Sequence, residues 1–204
     1  WVYFFGEGKA DGHAGMRDLL GGKGADLAEM SRLGIPVPPG FTITTEACLR
    51  FFEEGDRLPA GLLPEIEAAL ARLEKLTLKS FGDPRNPLLV SVRSGARSSM
   101  PGMMDTILNL GLSFETTEGL ASLTGNRRFA WDCFRRLIQM YADVVLGVEK
   151  GLFEKALEEA RKRRGVAEDS LLPSEELESK YCRFLALDEE VGRIFFPLDL
   201  KNKL

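Results

Sequence analysis

The feature that most constrains this chain is residues 87–106, PLLVSVRSGARSSMPGMMDT. Leu88, Leu89, Val90 and Val92 form a short apolar run opened by Pro87, which predicts a buried strand. The run stops at Arg93, and Ser94, Gly95, Arg97, Ser98 and Ser99 follow at once. A strand that delivers an arginine and a hydroxyl- and glycine-rich loop at its end suits phosphate. The guanidinium offers a fixed fork of donors, serine hydroxyls add weaker ones, and glycine lets backbone amides approach closely. Arginines at strand ends also make structural ion pairs, so the stretch by itself admits both readings. Thr106–Leu112 predicts a second strand ending near Gly111, so the Arg- and Ser-rich loop joins two strands.

A second informative stretch is Leu19-Leu20-Gly21-Gly22-Lys23-Gly24-Ala25-Asp26-Leu27-Ala28-Glu29-Met30. Leu27, Met30 and Leu33, with small Ala25 and Ala28, predict a helix ending near Gly34, with the glycines just before its first turn. Free amides at a helix start, a glycine approach and a lysine together favour an anion. The order Lys23-Gly24 is not the GxxxxGK[ST] of a Walker A loop. A tight turn with a solvated lysine is the competing reading.

Along the rest of the chain, WVYFF predicts an edge strand or hairpin arm, and Gly6, Gly8, Gly12 and Gly15 mark turns. Ile35–Gly40, IPVPPG, cannot be helical. Phe41–Thr44 alternates like a strand, and Thr44 or Thr45 caps a helix to about Glu54 anchored by Phe51 and Phe52. Pro64 opens a further helix with Ile66, Leu70, Leu73 and Leu76 on one face. Residues 113–196 show no clear strand. Asn126 begins a long helix with Phe129, Ala130, Cys133, Phe134, Leu137, Tyr141, Val144 and Val145 on its apolar face. A helix over about 149–164 ends in Arg161-Lys162-Arg163-Arg164 and Gly165, where cations suit a helix C-terminus. Ser174 caps another, with Leu177, Tyr181, Phe184 and Leu185 as its apolar positions and Leu177 where a capping box needs Glu or Gln. A shorter helix fits 188–195, stopped by Pro197. The last eight residues resemble the start of an amphipathic helix cut short, which points to a fragment.

The expected fold class is therefore α+β: a mixed α/β part over 1–112, an all-helical part over 113–196, and the start of a return segment over 197–204. Net charge is −4, from 27 basic and 31 acidic residues. That balance argues against a nucleic-acid partner, whose binding rests on accumulated Lys and Arg. No apolar run is long enough to span a bilayer, and the first residues make a poor signal peptide. Cys48, Cys133 and Cys182 are odd in number and contain no CxxC, which fits a reducing cytoplasmic setting with three small buried apolar residues. His13, the only histidine, has no second His or Cys ligand nearby, so no metal site is expected.

LLGGKGADLAEMSRLGIPVPPGFTITTEAC and LLVSVRSGARSSMPGMMDTILNLGL resemble the N-terminal nucleotide-binding domain of the pyruvate, phosphate dikinase family. FGDPRNPLL leads into the second stretch, and GNRRFAWDCFRRLIQMYADVV resembles the family's helical insertion. The resemblance implies the first part of an ATP-grasp-type domain. It implies conversion of ATP, phosphate and pyruvate to AMP, pyrophosphate and phosphoenolpyruvate, with Mg2+ and a phosphohistidine carrier. Lys23 and Arg93 match the family's ATP-phosphate contacts. Arg97, Gly102, Met103, Asp105 and Thr106 lie where a loop would cover the nucleotide, although Arg97 equally suits an ion pair and Met103 a core. On this reading no catalytic residue and no Mg2+ ligand lies within residues 1–204, the full-length protein is a homodimer, and the chain alone is inactive. Two other readings stay open. One is a phosphoenolpyruvate synthase-like phosphotransferase. The other is a non-catalytic module whose helical part docks a partner through Arg127, Arg128, Arg135 and Arg136.

Overall fold

The computed structural model describes residues 1–95 and 106–178, which form two compact units: 1–78 with 93–95, and 79–92 with 106–178. The strands on either side of the Arg- and Ser-rich loop group with the helices that follow, so the units do not divide at residue 112.

The first unit carries a three-stranded sheet in the order β2-β1-β3: β1 Val2–Gly6, β2 Lys9–Ala10 and β3 Gly40–Ile43. Both pairings are antiparallel, with Phe5 opposite Ala10 and Val2 opposite Ile43. WVYFF is thus a hairpin arm, but it is the central strand rather than an edge. The reason lies in Phe4 and Phe5. Consecutive strand residues point to opposite faces, and both rings are buried, so both faces of β1 are covered. Gly40 is required opposite Phe5, because a Cβ there would lie 2.8 Å from the Phe5 ring.

Helices α1 (Arg17–Arg32), α2 (Thr45–Glu53) and α3 (Leu62–Thr77) complete this unit. α1 packs on β1 and β2, and α3 on β1. Thr44 caps α2, its hydroxyl oxygen accepting from the Ala47 amide at 3.2 Å. The expected Phe51 and Phe52 anchors are not in the core. Ala47 is the buried residue of α2, Phe52 is 66% exposed, and the two rings pack edge-to-face at 5.4 Å. A one-residue step rotates a helix by about 100°, so the face that meets α1 falls on the small residue. α3 begins two residues before Pro64, after Gly61, and buries Leu62, Ala69 and Leu73.

β4 (Val90–Arg93), of which residues 90–92 fall in the second unit, pairs with β5 (Thr106–Leu110). Leu88 is buried, but Val92 is 47% exposed and Arg93 is exposed. The strand is therefore shorter and less covered than its apolar run predicts, as befits a two-stranded ribbon. Helix α4 (Phe114–Thr124) has no counterpart in the sequence reading. Ser113 and Thr116 cap it reciprocally, each side chain accepting from the other's amide. α5 (Arg127–Val144) starts at Asn126, whose side chain accepts from the Phe129 amide. α6 (Lys150–Arg164) ends at Gly165 in the left-handed conformation. Trp131, Phe134, Leu137 and Ile138 of α5 meet Phe153 and Leu157 of α6, with Leu112, Leu172 and Leu177, in one core. Trp131 and Ile138 thus replace Phe129, Val144 and Val145, which are 46%, 37% and 50% exposed. Residues 174–178 are helical and Leu177 is buried, as expected. Tyr181, Phe184, Leu185, the helix at 188–195 and Cys182 lie outside the described residues. Cys48 is exposed and Cys133 half-buried, so neither is the fully buried apolar residue expected.

Candidate nucleotide-binding site

α1 is two helical segments joined at Gly21, whose φ of 68° and ψ of 167° are non-helical. That region of backbone space is essentially reserved for glycine. The expectation placed all the glycines ahead of the helix. Instead a short helical lead-in, Arg17–Leu20, precedes the break, and Gly22, Lys23 and Gly24 form the first turn of the segment that follows. The first amides of a restarted helix have no acceptor within their own segment, and they sit at the positive end of its dipole.

Packing fixes this turn from beneath. Gly22 and Gly24 are buried, and a Cβ on Gly24 would lie 2.8 Å from Thr42 Cγ2 and 2.9 Å from its Oγ1. Leu20, Ala25 and Ala28 are buried alongside. The Thr45 hydroxyl donates to the Asp18 carbonyl at 2.6 Å, tying the start of α2 to the lead-in segment. Lys23 is half-buried and makes no ion pair with the described residues.

Sequence reasoning missed Arg17. Its Nη2 donates to Asp26 Oδ1 at 2.5 Å, and its Nη1 stands 3.5 Å from where a Cβ on Gly22 would be. The guanidinium therefore lies against the glycine turn. Its signal in the sequence was faint: a lone cation one turn before a glycine pair. His13 accepts from the Gly15 amide through Nδ1 at 3.1 Å and caps the 3-10 turn at Ala14–Met16. Glu29 accepts from the Ala14 amide at 3.0 Å, anchoring that turn on α1.

Arg93, at the end of β4, belongs to the same compact unit as Lys23 and is likewise without an ion pair among the described residues. Thr106 opens β5 and is half-buried. Arg97, Gly102, Met103 and Asp105 lie outside the described residues.

The arginines of α5 and α6 are occupied internally. Arg127 pairs with Glu118 and Glu178, Arg135 and Arg136 with Asp132, and Arg128 donates to the carbonyls of Leu172 and Asp169. Arg161 pairs with Asp169, Lys162 with Glu158, and Arg163 and Arg164 with Glu176. Among the described residues no group of three or more His, Cys, Asp or Glu is placed to hold a metal ion. No described helix is long and apolar enough to cross a membrane.

Residues 17–74 match the family described as pyruvate phosphate dikinase, AMP/ATP-binding domain. The match opens on the first residue of α1 and so contains the broken turn, while Arg93 falls beyond it. Over its whole length the chain is 51% identical to pyruvate, phosphate dikinase of Rhizobium meliloti (strain 1021) and 50% identical to that of Clostridium symbiosum, spanning 23% of each. It is 47% identical to pyruvate, phosphate dikinase 1, chloroplastic, of Arabidopsis thaliana, spanning 21% of it. The chain thus covers about a quarter of the length of the relatives it matches. About half of its residues being identical along its full length, and its broken glycine turn falling inside the matched domain, the chain is similar throughout to a portion of pyruvate, phosphate dikinases and carries the match to the family's AMP/ATP-binding domain at residues 17–74.

Proposed function

We propose that this chain supplies the ATP-phosphate-binding portion of a pyruvate, phosphate dikinase: an enzyme that converts ATP, phosphate and pyruvate to AMP, pyrophosphate and phosphoenolpyruvate. One observation carries the reading. The segment matching an AMP/ATP-binding domain contains a helix break at Gly21, and Lys23, which makes no ion pair among the described residues, stands in the turn that follows it.

In this reading the polyphosphate lies at the restarted turn of α1. Lys23 supplies a compact charge and Arg93 a planar fork that fixes oxyanion geometry. Both act on negative charge that builds on transferring phosphoryl oxygens. The buried glycines admit the anion to the backbone, and Thr42 beneath Gly24 holds the turn rigid. The same reading gives Arg97, Gly102, Met103, Asp105 and Thr106 a share in covering the nucleotide. Magnesium belongs to the proposed reaction, and among the described residues no group of three or more His, Cys, Asp or Glu is placed to hold it. The proposal extends to an ATP-grasp architecture, and to a cytoplasmic homodimeric enzyme in which this portion alone turns over neither ATP nor pyruvate.

The test is ATP binding followed by calorimetry. Lys23→Ala and Arg93→Ala are each expected to weaken ATP about ten- to a hundredfold, the worth of one charge-assisted contact. Unchanged affinity in both would overturn the site. In the complete reading frame, phosphoenolpyruvate formation that requires phosphate and releases pyrophosphate supports the dikinase; formation without phosphate moves the activity to the synthase.

A further inference from the structure

At the far end of α1 from Lys23, a shallow open groove of about 450 Å³ is lined by Gly8, Lys9, Ala10, Asp11, Arg32 and Arg72. Arg32 stands nine positions after Lys23, about 13 Å along a helix, so this groove is separate from the glycine turn. Three cations face one carboxylate. None of Lys9, Arg32 and Arg72 makes an ion pair among the described residues, although the chain as a whole is acidic and most arginines of the helical unit are paired. Like charges brought to one groove repel, and a counter-anion relieves that repulsion.

The groove is also built on a fixed floor. Asp11 exchanges two hydrogen bonds with Phe4: the Phe4 amide donates to Asp11 Oδ2 at 2.8 Å, and the Asp11 amide donates to the Phe4 carbonyl at 2.9 Å. The Ser31 hydroxyl donates to the Lys9 carbonyl at 3.0 Å, which locks the end of α1 to β2. Arg72 lies over the buried Phe4 ring with its guanidinium carbon 3.8 Å from the centroid. Stacking on an aromatic face restrains the guanidinium plane and leaves its in-plane N–H donors free.

We propose that this groove is a second anion site, one that takes a compact multivalent phosphate-type oxyanion. Arg72 presents its planar fork, Lys9 and Arg32 add charge from either side, and Asp11 keeps its carboxylate on the Phe4 amide. Because the cations are exposed, binding is salt-dependent and rapidly reversible.

The experiment is a titration of the isotope-labelled protein with inorganic phosphate and with pyrophosphate, at low and constant ionic strength, followed by backbone amide resonances. A Lys23→Gln, Arg93→Gln background removes the proposed nucleotide site from the readout. Saturable shifts at Gly8–Asp11 are expected, tighter for pyrophosphate, and about tenfold weaker in a Lys9→Gln, Arg32→Gln variant. These substitutions sit on exposed side chains and leave the Phe4–Arg72 packing intact. Shifts that are linear, that chloride reproduces at equal ionic strength, or that persist unchanged in the Lys9, Arg32 variant overturn the proposal.

Discussion

Arg17 and Asp26 form an ion pair across the break in α1, Nη2 to Oδ1 at 2.5 Å, so that one contact joins the helical segment before Gly21 to the segment after it. Both side chains are more than half exposed, and exposed pairs contribute about 0–1 kcal/mol. The pair thus matters less for stability than for holding a guanidinium against Gly22. Arg17→Ala is expected to leave the melting temperature within about 2 °C while weakening ATP about three- to tenfold. Calorimetric titration with ATP and with adenosine separates the two effects: loss for ATP alone shows that the guanidinium acts on phosphate.

Gly21→Ala places a side chain at φ 68° and ψ 167°. The expected cost is about 1–3 kcal/mol, with loss of ATP binding as the turn shifts. Thermal unfolding and ATP titration of the same sample check both.

Gly119→Ala probes the helical unit. A Cβ there would stand 1.7 Å from the Pro84 carbonyl oxygen, so α4 and the loop before β4 must part. Destabilisation of about 3 kcal/mol or more is expected, read as a lower denaturant midpoint.

Ser113→Ala removes half of the reciprocal cap on α4. A loss of about 1 kcal/mol is expected, whereas Ser113→Thr, which keeps the hydroxyl, should recover most of it in the same denaturant titration.

Glu176 gives a pH signature. Its side chain is 9% exposed, and Arg163 Nη2 at 2.5 Å and Arg164 Nε at 3.0 Å donate to its two oxygens. The bond from Arg163 is the main cause that holds its pKa below the ordinary carboxylate value of 4.5, against the opposing cost of burial. A carboxylate with a lowered folded pKa contributes stability that is present above its unfolded pKa and is lost as pH falls through the folded one. Stability of the helical unit is therefore expected to decline below about pH 4.5, and Glu176→Gln should flatten that part of the pH–stability curve while lowering stability at pH 7. A curve of unchanged shape would show that the clasp does not couple to folding.

Where the sequence was readable, the signal was local. Thr44 caps α2, Asn126 caps α5, and Gly165 closes α6 after four cations, because each depends on groups within about four residues. The proline-rich 35–39 stretch stays non-helical for the same reason. α4 escaped notice although its cap is local: Thr116 stands where Glu or Gln usually closes a capping box, and the helix buries Thr116, Thr117 and Ala121 rather than an apolar stripe. Lys23 was legible as a cation among glycines, but the break that makes Gly21 the pivot was not, since GGKG is equally compatible with a loop before a helix.

The amino-acid sequence by itself determined several element ends and the mixed helix-and-strand composition through short-range capping chemistry, and its two glycine- and arginine-bearing stretches carried the resemblance. Only the tertiary structure decided which faces are buried and where charge is spent. Trp131 turns inward on α5 because its indole N–H finds Glu118 at 2.9 Å and its ring meets Phe114 at 5.5 Å, on a helix whose start is set elsewhere. Arg127 is neutralised by Glu178, 51 residues away, while Lys23, Arg93, Lys9, Arg32 and Arg72 keep their charge unpaired among the described residues. Partners that far apart in sequence meet only when the chain has packed, so the difference between a structural cation and one left for a ligand is a property of the fold.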